Sequence, residues 1–142
     1  MKVDQAPEGG KARMIADASL DGVAGAWGDG DMYCVTVNAS GFLVAAAIGD
    51  AIGVIKTDEG RETTSDGSHK NIIGGRKYTV FSRAEFVEAD IGTSPALAAG
   101  DQVFVTTSGD VLTTGAVGAR CLGWVDNTGK RLVLDVGLLP NA

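Results

Sequence analysis

Any side-chain chemistry in this chain would have to start from its single histidine. His69 directly follows Ser68 and stands close to Asp66, which supplies the residue types of a nucleophile, a base and an orienting acid. A working triad needs those three groups to converge in space from rigid supports. Near neighbours in one polar stretch do not normally do so, and the spacing predicts an exposed loop histidine. Carboxylates pair as Asp58/Glu59, Asp29/Asp31 and Glu85/Glu88. Paired-acid catalysis needs two carboxyls in a cleft with separated pKa values. These pairs sit among glycines and charges, which predicts solvated surface groups.

Other motifs fall short in the same way. Asp29-Gly30-Asp31 lacks the rest of a calcium loop. Gly115-Ala116-Val117-Gly118 is not followed by the helix whose N-terminus would hold a phosphate. Cys34 and Cys121 lie far apart, each in an apolar, strand-like run, with no CxxC and no zinc-like cluster. The expectation is two buried thiols; a disulfide between them is possible and unforced. No catalytic, cofactor-binding or metal-binding residue is assigned, and no cofactor is expected.

The elements that would have to position a site are short. Of 142 residues, 21 are glycine and only 3 proline, while 44% are hydrophobic and 21% charged. That balance predicts a folded chain with many tight turns. The formal net charge of −6 argues against nucleic acid and anionic membrane as partners. The N-terminus lacks the apolar stretch of a signal peptide, and the run Phe42–Ile55 is interrupted by Asp50. It is shorter than the roughly 20 residues a membrane helix requires. Synthesis in a cytoplasm is the expectation.

Residues 1–31 are rich in Gly, Ala and Asp and read as an extended N-terminal arm, with at most about two helical turns over Lys11–Ala18. Its sizeable apolar side chains are Met14, Ile15, Leu20, Val23 and Trp27, which are the candidate contacts to another subunit or a larger assembly. Trp27 could dock on a partner or pack on its own domain.

From Met32 the apolar period changes to two. Tyr33, Val35 and Val37 alternate with Met32, Cys34 and Thr36. Asn38–Gly41 signals a turn, Phe42–Ala47 and Ile52–Lys56 read as strands, and 57–71 as a polar loop with a solvated tip. Tyr78–Val87 reads as a strand with a bend near Arg83, and Ser94–Gly100 as one helical turn. Val103–Val105, Val111–Thr114, Gly118–Val125 and Arg131–Val136 read as strands separated by turns, with Trp124 in the core. The fold class is therefore all-β, a small barrel or sandwich of short antiparallel strands over 32–142, behind the arm at 1–31.

Two family resemblances bear on function. Gly53–Gly60 loosely resembles a motif of trimeric dUTP pyrophosphatases, but Lys56 and Asp58 stand where that motif carries aspartate and tyrosine, and the family's other motifs are absent. The broader resemblance runs over residues 42–137. It comprises Ala96–Val105 with its Gly100-Asp101-Gln102-Val103, then Ser108–Gly115, then Leu122-Gly123-Trp124-Val125, then Arg131–Val136, with Gly49–Val54 upstream. This order resembles the small β-rich capsid decoration, or cement, proteins of tailed bacteriophages. The resemblance implies a structural virion protein, without catalysis, that binds the outer surface of an assembled capsid. Its partners would be the major capsid protein and itself, as a homotrimer, after synthesis in the host cytoplasm. The alternatives are another virion component, such as a head fibre base or tail protein, and a receptor- or glycan-binding β module.

Overall fold

The computed structural model describes residues 11–23, 32–47, 49–88, 98–105, 112–113, 121–129 and 131–136. The fold is all-β. Among the described residues twelve strands form two five-stranded sheets and a small hairpin, and the only helical element is a 3-10 turn at Ala18–Leu20.

The first sheet contains β1 (Lys11–Ile15), β2 (Met32–Val37), β3 (Leu43–Ala45), β4 (Gly53–Lys56) and β7 (Lys77–Phe81), in the order β1-β7-β4-β2-β3. The second contains β8 (Arg83–Glu88), β9 (Gln102–Val105), β10 (Leu112–Thr113), β11 (Cys121–Val125) and β12 (Arg131–Asp135), in the order β10-β9-β11-β12-β8. Between β4 and β7 stands the hairpin of β5 (Glu62–Thr63) and β6 (His69–Lys70). Every strand pairing within the sheets is antiparallel.

The first sheet curls until its edges meet. Ala16 forms a parallel bridge with Leu43, and the Asp17 N–H donates to the Leu43 carbonyl at 2.8 Å. The alternation in β2 then divides between two cores. Tyr33 and Val35 point to the inside of the curl, where they pack with Ala16, Leu20, Leu43, Ile55, Ile72, Tyr78 and Val80. Met32 and Cys34 point outward and pack with Val54, Val103, Leu122, Val125, Leu132 and Leu134 against the second sheet. Both cysteines are buried and neither forms a disulfide, as the sequence predicts.

The turns follow their residues. The Asn38 side-chain carbonyl accepts from the N–H groups of Ser40 and Phe42, each at 3.0 Å, and this shapes the β2–β3 hairpin. Asp126 plays the same part between β11 and β12, accepting from the Thr128 N–H at 3.0 Å and hydroxyl at 2.6 Å. The stretch Tyr78–Val87 does bend, at Ser82, where the chain leaves one sheet for the other.

Two expectations need correction. Residues 11–23 are not an arm apart from the domain, nor helical over 11–18: β1 pairs with β7 from Lys11↔Phe81 to Ile15↔Lys77. The strand is faint in sequence because Lys11, Ala12 and Arg13 give it no apolar alternation, only Met14 packs against the barrel core, and Ile15 faces out opposite Lys77. Trp124, expected in the core, is only half-buried and lies outside both core clusters. The cause is a bulge. The β11–β9 register shifts between Cys121 and Gly123, so Leu122 and Val125 both face the core despite their odd separation, and Trp124 turns away. The helical turn expected at 94–100 falls mostly outside the described residues.

Gly123 is what permits the bulge. Its φ is +154°, and a Cβ there would lie 1.8 Å from the Val133 carbonyl oxygen. Gly123→Ala should lower the unfolding free energy by about 2–4 kcal/mol in urea titrations. Gly41→Ala, at φ +86° with nothing within 4 Å, should cost only about 1 kcal/mol.

Candidate functional site

The 57–76 excursion holds the only histidine and most of the polar residues in question. Its tip is a closed hydrogen-bonded turn. One Asp66 oxygen accepts from the Ser68 N–H at 3.0 Å, the Ser68 hydroxyl at 2.7 Å and the Thr64 hydroxyl. These donors hold the Asp66 carboxyl far below the usual carboxylate range, Thr64 contributing most. His69 turns elsewhere, its Nδ1 lying 3.3 Å from the Thr63 hydroxyl. Asp66 therefore holds Ser68 directly, with no imidazole between them, and the arrangement shapes a turn. The tip is exposed, as the sequence predicts.

The base of the excursion is a different matter. Thr57 and Asn71, at its two roots, are buried. Tyr78, fully buried in β7, accepts from the Ile73 N–H at 2.8 Å through its hydroxyl and donates to the Asn71 carbonyl at 3.4 Å. Gly60 lies against that same hydroxyl, so closely that a Cβ would come within 2.5 Å.

Glu59, expected as one of a solvated pair, is structural. β4 and β7 pair only at Val54↔Phe81. Beyond that point the Glu59 carboxylate stands in for the missing strand, accepting from the Thr79 N–H at 2.9 Å and hydroxyl at 2.8 Å, and from Arg13 of β1. Arg76 bonds the Gly60 carbonyl at 3.1 Å and pairs with Glu62. Nothing local in the sequence marks these contacts, because Arg13 and Glu59 are 46 residues apart. Asp29 and Asp31 lie outside the described residues, as do the side chains of Glu85 and Glu88.

The candidate contact residues of the N-terminal segment separate. Leu20 is 2% exposed in the barrel core, and Met14 and Val23 pack against that core. Ile15 is half-buried on the outer face of β1. Trp27 lies outside the described residues. Asp17 caps the 3-10 turn by accepting from the Ser19 N–H at 2.9 Å, which lowers its pKa. Asp21 is lowered chiefly by its pairing with Lys70.

No family model and no curated protein matches the chain. Among the described residues no three His, Cys, Asp or Glu side chains gather as a metal site, and no helix is long and apolar enough to cross a membrane. Phe42 and Ile52, each 37% exposed, are the large hydrophobics that the described surface presents.

The Asp66 turn makes a pH prediction. A carboxyl whose pKa is depressed on folding adds stability above its unfolded value, about 3.9, and loses it as pH falls through the folded value. Carboxyl carbon NMR should find Asp66 still ionised at pH 3, and Thr64→Val should raise its midpoint. Protonation near pH 4 in the native protein would show that the turn does not hold it.

Proposed function

We propose that this chain is a structural virion protein that binds the outer surface of an assembled bacteriophage capsid and stabilises it, acting by adhesion without turnover. The observation that carries the reading is how three of the resembling motifs are used. Gly100-Asp101-Gln102-Val103 opens β9, Leu122-Gly123-Trp124-Val125 is the bulged β11, and Arg131–Asp135 is β12, and the three strands lie side by side in one sheet.

Each motif has a structural duty there. Gly100 takes φ +86°, and its N–H donates to the Val125 carbonyl at 2.9 Å. The Asp101 carboxylate accepts from the Ala98 N–H at 2.9 Å, and its carbonyl accepts from the Val125 N–H at 2.8 Å. The quoted residues thus cooperate in one unit, which supports a shared architecture more strongly than scattered glycines would.

A protein of this kind works by binding the assembled shell in preference to free subunits. That stabilises the shell by about 2.7 kcal/mol per site at a hundredfold excess over Kd, and self-association would multiply weak contacts through avidity. Leu20 is committed to the chain's own core, so attachment falls to other surfaces. A glycan- or receptor-binding role is the second reading, favoured by Trp124, which lies outside both cores and is half-buried opposite Val133 and Gln102.

Purified protein should co-sediment with mature capsids and raise their resistance to heat or chelation. Failure to bind capsids at any stage of maturation would overturn the proposal. A glycan-array signal abolished by Trp124→Ala would establish the second reading.

A further inference from the structure

The contacts between the N-terminal segment and the excursion lead beyond attachment. The Ala16 N–H donates to the Arg76 carbonyl at 2.9 Å, the Gly75 N–H to Ala16 at 2.8 Å and the Gly22 N–H to Ile72 at 2.7 Å. Asp21 accepts from the Gly74 N–H at 2.9 Å and pairs with Lys70. Arg13 pairs with Glu59. Gly74 packs so tightly that a Cβ would meet the Ala18 Cα at 3.1 Å and the Asp21 Cβ at 3.3 Å. Two segments distant in sequence are bound to each other at both roots of the excursion, through Glu59 on one side and residues 70–76 on the other.

Their apolar side chains also belong together. Ala16, Leu20 and Ile72 are core residues of the barrel interior, with Met14 and Val23 packed against it, and none belongs to the cluster between the two sheets. Thr57 Oγ1 and Asn71 Oδ1, at the roots of the excursion, are buried with no hydrogen-bond partner in the protein. Opening would hydrate both, which lowers the cost of opening at those two positions.

We infer that residues 11–23 and 57–76 open and close as one unit, a strap across the barrel that can lift while the sheet-to-sheet core stays intact. Sub-global openings of this kind follow contiguous cooperative units. Release of the strap would leave the β3 and β7 edges free at once, because the Ala16–Leu43 bridge and the β1–β7 ladder both end on it.

Hydrogen–deuterium exchange on the full chain tests this by comparing peptides 11–23 and 70–79 with peptide 121–136. Asp21→Asn removes the charge that Lys70 pairs with. It should speed exchange of both strap peptides by one common factor, roughly two- to fivefold, and leave 121–136 unchanged. Gly74→Ala should produce the same joint acceleration, and a larger one. Acceleration confined to the amides beside the altered residue would show two independent segments. Equal acceleration of 121–136 would show that only global opening occurs. If neither variant moves either strap peptide, these contacts do not hold the strap. Each of those three results overturns the inference.

Discussion

The central strands of the first sheet, β2 and β4, are buried on both faces, and most of the structure follows from that constraint. An antiparallel sheet ordinarily keeps one face in water. Here the inner face closes on itself and the outer face lies against a second sheet, so β2 runs Met32, Tyr33, Cys34, Val35 without an exposed position. A strand of that kind requires two separate covers. The second sheet supplies one. The other is made by the curl, by Leu20 of the 3-10 turn and by Ile72 of the excursion.

Because the inner cover comes from irregular segments, its polar backbone must be satisfied in other ways. Tyr78 answers Ile73 and Asn71, Glu59 answers Thr79, and Asp21 answers Gly74. These are side-chain substitutes for strand pairing. They explain why a stretch almost devoid of apolar residues is nonetheless anchored at its base while its tip around Asp66 stays in solvent.

The sequence is most legible where periodicity and turn chemistry act locally. The β2 alternation, the Asn38 and Asp126 turns and the Leu132/Leu134 face are all readable from neighbours in the chain. What escapes is non-local or hidden in parity. β1 is disguised because Met14 is its one side chain packed on the core. Trp124 reads as core until the bulge at Gly123 reverses the faces of β11, and Glu59 reads as solvated until Arg13 and Thr79 reach it from other strands. The His69 environment is legible for the opposite reason: adjacent polar residues organise one another, and a turn is all they can organise.

The pairing of β1 with β7 also sets an order of events during synthesis. Arg13 and Thr79 are 66 residues apart. At roughly 5–20 residues per second, the first strand leaves the ribosome several seconds before its neighbour exists. It waits as Lys-Ala-Arg-Met-Ile, a segment whose two cations discourage premature association with other nascent chains. The loop-closure entropy of such a distant partner must be met before the ladder rewards it. Barrel closure therefore belongs late in folding, after the β2–β3 hairpin has already formed.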